Sequence, residues 1–73
     1  MKYKPNDNLR SLRITHGITQ LDLGKAIGVS DVTISSIELG KMFPSVPLIV
    51  KLSRYFNVST DVILGEKDLE EMK

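Results

Sequence analysis

The sequence predicts an all-α domain of five short helices, and three observations carry that expectation. Apolar residues recur at helical spacing and nowhere sustain an alternation of period two, which argues against strands. One punctuation is repeated at Gly17-Ile18-Thr19, Gly28-Val29-Ser30 and Asn57-Val58-Ser59: a residue tolerant of left-handed backbone, a branched apolar residue, then a hydroxyl. The third observation is size. A chain of 73 residues without cysteine makes one small domain, burying about 60% of its unfolded surface with no disulfide to help.

Taken in order, the first helix spans about 7–16 and carries Leu9 and Leu12 on one side. His16 falls in its last turn, where it suits the helix dipole. Gly17 then closes this helix and Thr19 caps the next, about 20–27. Gly28 and Ser30 do the same ahead of a third helix, about 31–39. Pro44 rules out a continuous helix beyond Gly40, and Ser45 caps a fourth, about 46–56. Pro47 lies in that helix's first turn, where its missing N–H costs little. Val46, Ile49, Val50, Ser53 and Phe56 read as the inward stripe of this fourth helix. Asn57-Val58-Ser59 leads to a last helix, about 60–64. The apolar residue before each cap has a partner at the fourth helical position, giving three hydrophobic staples: Ile18 with Leu23, Val29 with Ile34, and Val58 with Ile63. The helix lengths share no period, so the repeated triplet is punctuation and not a solenoid. The organisation expected is an N-terminal arm (1–5), a domain (6–65) and a charged tail (66–73) that extends the last helix or frays.

The net charge of +1 says little, but its distribution is uneven. Lys2, Lys4, Arg10 and Arg13 stand against Asp7 at one end, whereas Glu66, Asp68, Glu70 and Glu71 outnumber Lys67 and Lys73 at the other. The basic end would face phosphates and the acidic tail would avoid them; ordinary solvated charge explains the same distribution. No run approaches the roughly 20 apolar residues of a membrane span, and no signal peptide is visible, so a soluble, cytoplasmic protein is expected. No catalytic constellation is present and no enzyme is expected. Nor is a metal, because Leu12, Arg13, Thr19 and Gln20 occupy the places around His16 where a second ligand would sit. Gly24, Gly28 and Gly40 are helix-crossing and capping glycines, not a phosphate cradle, and no cofactor or small-molecule ligand is implied.

The informative stretch runs from Gln20 to Leu39. Two helices joined by a Gly-containing turn must cross closely if the second is to project outward. That geometry asks for a small residue midway along the first helix, met by Gly24, and a turn residue, met by Gly28. It also asks for apolar anchors, met by Leu23, Ile27, Val29, Ile34 and Ile37. The stretch therefore predicts a central helix-turn-helix.

Asn8-Leu9-Arg10, Arg13, Gly17-Ile18-Thr19-Gln20, Gly28-Val29-Ser30, Thr33-Ile34-Ser35, Ile37-Glu38, Gly40-Lys41, Pro44-Ser45, Val58-Ser59 and Leu64-Gly65 resemble the Cro/Xre (lambda-repressor-like) helix-turn-helix family over about residues 6–65. The resemblance implies a compact five-helix domain and a sequence-specific DNA-binding regulator, a repressor in the first instance. It would act as a homodimer on a double-stranded operator, reading the major groove with helix 31–39. Gln20 would reach a phosphate, beside the amides that follow Thr19; an ordinary surface role also suits it. Arg13 and Glu38 would form a partly buried ion pair that is structural.

With Ile34 and Ile37 inward, Val32, Ser35, Ser36 and Leu39 point outward and Asp31 and Thr33 flank them. Ser30 opens the helix and, with Thr19 and Ser35, belongs to the DNA-contacting set that the resemblance implies. Val32 would pack on a thymine methyl, Thr33 and Ser36 would exchange hydrogen bonds with base edges, and Asp31 would accept from a cytosine amino group or serve the helix dipole. Lys41 is a phosphate contact in this reading. The sequence departs from the family pattern at Asp31 and Ser36, where Arg, Lys or Gln are common, so the helix carries no positive charge. Leu39, Met42 and Phe43 form an apolar set that would meet a second copy beside Ile63 and Leu64; for Phe43, packing beneath the fourth helix is the competing expectation. The same set would serve an alternative function, a protein-interaction module of antitoxin-like or antirepressor-like kind.

Overall fold

The computed structural model describes residues 4–65; the expectations for residues 1–3 of the arm and for the tail 66–73 lie outside them. The expected all-α, five-helix architecture is observed as α1 (Asp7–Thr15), α2 (Gln20–Ile27), α3 (Asp31–Glu38), α4 (Val46–Phe56) and α5 (Thr60–Ile63). Three helices end one residue earlier than expected, with His16, Leu39 and Leu64 as C-caps.

The punctuation works as local chemistry dictates. Gly17, Gly28 and Asn57 take φ of +67°, +83° and +55°, the left-handed region that reverses the chain after a helix. Thr19 accepts from the Asp22 amide at 3.0 Å, and Asp22 returns the bond to the Thr19 amide at 3.1 Å, completing a capping box. Ser30 and Ser45 accept from the amides of Thr33 and Leu48. Ser59 departs from expectation, because its side chain makes no capping bond. Its carbonyl instead accepts from Val62 and Ile63, as suits a helix of one tight turn.

All five helices meet in one core: Leu9 and Leu12 of α1, Leu23 and Ile27 of α2, Ile34 and Ile37 of α3, Leu48, Ile49, Leu52 and Phe56 of α4, and Val62 and Ile63 of α5. Ile18, Val29 and Val58 pack against it, so each staple residue sits beside the core that holds its expected partner. The stripe of α4 needs correction. Leu48 and Leu52 join Ile49 and Phe56 inside, Val50 and Ser53 are half-buried, and Val46 is 72% exposed. Residues 46–52 are apolar almost all round the helix, so periodicity alone does not choose the buried face.

Candidate nucleic-acid interface

The pair α2–α3 is built around Gly24. A Cβ at this position would stand 2.5 Å from the Val29 carbonyl oxygen and 3.2 Å from that of Ser30. Only a residue without a side chain lets the turn fold this closely over α2. The turn then delivers α3 with Ile34 and Ile37 buried and its opposite face on solvent. Val32 is 67% exposed, Asp31 is also exposed, and Thr33, Ser35 and Ser36 are half-buried beside them. The Ser30 and Thr33 hydroxyls lie 3.1 Å apart. Asp31 occupies the first turn of α3, where a carboxylate favours the helix dipole.

Arg13 and Glu38 form the expected ion pair, and it is more buried than the sequence implied. Arg13 donates from Nε to Oε2 at 2.7 Å and from Nη2 to Oε1 at 3.1 Å, with the two side chains 13% and 3% exposed. The hydrogen bonds to Glu38 raise the Arg13 pKa above its ordinary value despite the opposing effect of burial. Arg13 Nη1 also donates to the Ile18 carbonyl at 3.1 Å. Gln20 joins this group, donating Nε2 to Glu38 Oε1 at 3.2 Å. Its amide is therefore turned toward the ion pair. Thr19, too, has its hydroxyl occupied, by the capping box. The Thr19 amide and hydroxyl bonds hold the Asp22 carboxyl below its usual range.

Sequence reasoning missed Asn6. It caps α1 by accepting from the Leu9 amide at 3.0 Å, donates Nδ2 to the Ile63 carbonyl at 2.7 Å, and gives its amide to the Glu38 carbonyl at 3.1 Å. An Asn immediately before the first helix was the available signal. Asn8 adds a bond to the Val62 carbonyl at 3.0 Å.

Beyond α3, Gly40 turns at φ +79° and the amides of Gly40 and Lys41 close onto the carbonyls of Ile37 and Ser36. This leaves Lys41 exposed at the end of α3. Leu39, Met42 and Phe43 are 46%, 37% and 52% exposed, so Phe43 does not pack beneath α4; Pro44 is the buried residue of that loop. Met42, Phe43 and half-buried Leu64 border a hollow of about 150 Å³. Ile63 borders it as well but is 0% exposed, which makes its side chain part of the core and removes it from the expected partner-facing set. Among the described residues, no cluster of His, Asp or Glu could hold a metal ion, and no helix is long and apolar enough to cross a membrane.

Comparison with known proteins gives this geometry a context. A helix-turn-helix family model matches residues 9–63. An HTH-type transcriptional regulator of Methanocaldococcus jannaschii is 41% identical over 63 residues, covering 85% of this chain and 96% of the relative. Antitoxin PezA of Streptococcus pneumoniae is 41% identical over 59 residues, which are 81% of this chain and 37% of the antitoxin. Among solved structures, the P22 c2 repressor in complex with synthetic operator 9T superimposes with a TM-score of 0.80 and 32% identity, covering 85% of this chain and 94% of the repressor. The fold, the α2–α3 crossing and these matches agree: the chain belongs to the helix-turn-helix family of Cro/C1 type, whose members include HTH-type transcriptional regulators.

Proposed function

We propose that this protein is a sequence-specific DNA-binding transcriptional regulator, a repressor, that reads the major groove with α3 as a homodimer. The observation that carries this reading is the division of labour on α3. Its inner face and last residue hold the fold, while Asp31 and Val32 stand on solvent with no part in the core. Residues near the start of such a helix are the ones that meet base edges. The likeness to a repressor bound to a synthetic operator supports it.

Val32 packs on a thymine methyl; Thr33, Ser35 and Ser36 exchange hydrogen bonds with neighbouring bases or sugar-phosphate; Asp31 serves a cytosine amino group and the helix dipole. The amides behind Thr19 and Ser30, together with Lys41, position the backbone without reading sequence. Gln20 contributes chiefly by fixing Glu38, and reaches a phosphate only by leaving that bond. Leu39, Met42, Phe43 and Leu64 meet the second copy, in an isologous contact across half-sites about 34 Å apart. The domain itself is residues 6–65.

Selection of bound duplexes from a random DNA pool tests this directly. The expected result is a two-fold symmetric consensus; failure to enrich any sequence at moderate salt sinks the proposal. A second reading, a protein-interaction module, is favoured by the exposed apolar set at Leu39, Met42 and Phe43 and by the antitoxin relative. Salt separates the two, because phosphate contacts weaken steeply with ionic strength and an apolar contact does not.

A further inference from the structure

A second charged feature lies where α2 and α4 end. The C-terminal ends of α2 and α4 enclose an open hollow of about 610 Å³ bordered by Lys25, Lys51, Arg54 and Tyr55, with Ile27 and Gly28 behind them. All three cations are exposed, and among the described residues no carboxylate borders the hollow. Their positions have a partial explanation in helix chemistry. Lys25 and Arg54 occupy last turns, where positive charge suits the dipole, and Lys51 Nζ donates to the Ile27 carbonyl at 3.5 Å. That bond uses one of the three donors of an ammonium group. The nearest acid on α2, Asp22, has its carboxylate bonded to the Thr19 amide.

We propose that this hollow is a phosphate-binding ledge, holding the DNA backbone just outside the half-site read by α3. The inference rests on the DNA-binding reading above. Its geometry comes from α2, whose eight residues span about 12 Å. The major groove is also about 12 Å wide. A helix of that length laid across the groove with Thr19 and Gln20 over one wall would carry Lys25 to Gly28 toward the other. Gly28, which borders the hollow, is followed within three residues by Asp31 at the start of α3, so one short turn of chain separates the two. Charge complementarity argues for the same occupant. The outward face of α3 carries Asp31 and no cation, so attraction to a polyanion must come from its surroundings. Lys41 supplies one cation at the far end of α3, and Lys25, Lys51 and Arg54 are gathered around the hollow.

The test uses the full chain and the duplex that it selects from a random pool, with affinity measured against salt concentration. Each phosphate contact contributes about 0.9 to the slope of log K against log salt. The triple variant Lys25→Gln/Lys51→Gln/Arg54→Gln should therefore show a slope shallower by about 2–3 and roughly 100-fold weaker binding at 0.1 M salt, with an unchanged consensus. Trimming base pairs from the outer flanks should weaken the parent protein and leave the variant unaffected. Should the triple variant fail to fold by circular dichroism, Lys25→Gln/Arg54→Gln keeps the Lys51 cap and should lower the slope by about 1–2. A folded variant with the parental slope overturns the ledge while leaving the DNA reading intact. If that variant instead lost salt-sensitive binding of poly-glutamate, the surface would belong to an acidic protein segment. A parent protein that selects no duplex overturns both proposals.

Discussion

Removal of Arg13 should be among the most damaging single substitutions in this chain. The Glu38 carboxylate, with its side chain 3% exposed, receives Arg13 Nε at 2.7 Å, Arg13 Nη2 at 3.1 Å and Gln20 Nε2 at 3.2 Å. In Arg13→Ala it keeps only the neutral Gln20 donor, in a place that water reaches poorly. Stranding one partner of a buried pair costs about 3–5 kcal/mol. A chain of this length has a total stability of about 4–11 kcal/mol, so the loss is a large share of it. The melting temperature should fall by at least roughly 12 °C. Glu38→Ala should cost less, because Arg13 is 13% exposed and retains its bond to the Ile18 carbonyl. The double substitution Arg13→Met/Glu38→Leu removes both charges and fills the space, and should be milder than Arg13→Ala alone. Urea unfolding of the three variants, with the m-value checked for constancy, measures this series. The argument fails if Arg13→Ala lies within about 1 kcal/mol of the parent, or if Arg13→Met/Glu38→Leu is destabilised as much as Arg13→Ala.

Four further outcomes follow from the same structure. Gly24→Ala gains about 1 kcal/mol of helix propensity but drives a Cβ to 2.5 Å from the Val29 carbonyl, an overpacking of about 1–3 kcal/mol against backbone, so a net loss of stability is expected in thermal melts and a gain would refute the close crossing. Val32→Ala removes two methyl-sized groups from a thymine contact, about 1.6 kcal/mol, and should relax one base pair of the selected consensus by about tenfold; an identical consensus removes Val32 from the reading set. The depressed pKa of Asp22 means that its capping contribution is present above about pH 4 and is lost as pH falls through the folded value below 3.8. Asp22→Asn should therefore flatten the acid limb of the stability–pH curve, and identical limbs would contradict the capping box. Phe43→Ser should leave the monomer folded by circular dichroism, since Phe43 is 52% exposed, while lowering operator affinity and self-association by sedimentation; unfolding would restore the core reading.

What the sequence made legible was local. A cap, a left-handed turn and a staple each involve residues within a few positions, so Thr19, Ser30, Gly28 and Asn57 announced their roles directly. Gly24 was legible because a two-helix crossing admits few residue types at its midpoint. The face of α4 was not, since an almost wholly apolar run fits more than one stripe. Contacts across the chain were hidden for a different reason. Asn6 to Ile63 and Gln20 to Glu38 join residues 57 and 18 positions apart, and no spacing rule encodes such pairs. Phe43 was ambiguous because an aromatic beside a proline suits a core or a surface equally; here Pro44 took the interior place.

Glu38 is a junction. Its side chain bonds α1 through Arg13 and α2 through Gln20, and its carbonyl receives the amide of Asn6. It thereby fixes the far end of α3 to both ends of α1 and to the start of α2, while the near end is fixed by Ser30 and the Gly24 crossing. Asp31 and Val32 play no part in either anchorage. Under the proposed function, these side chains behave like exchangeable type in a locked frame. Mutations at Val32 would change which duplex is preferred with little stability penalty, and at Asp31 with only the loss of its dipole contribution, so descendants of this chain can diverge in specificity while keeping one architecture.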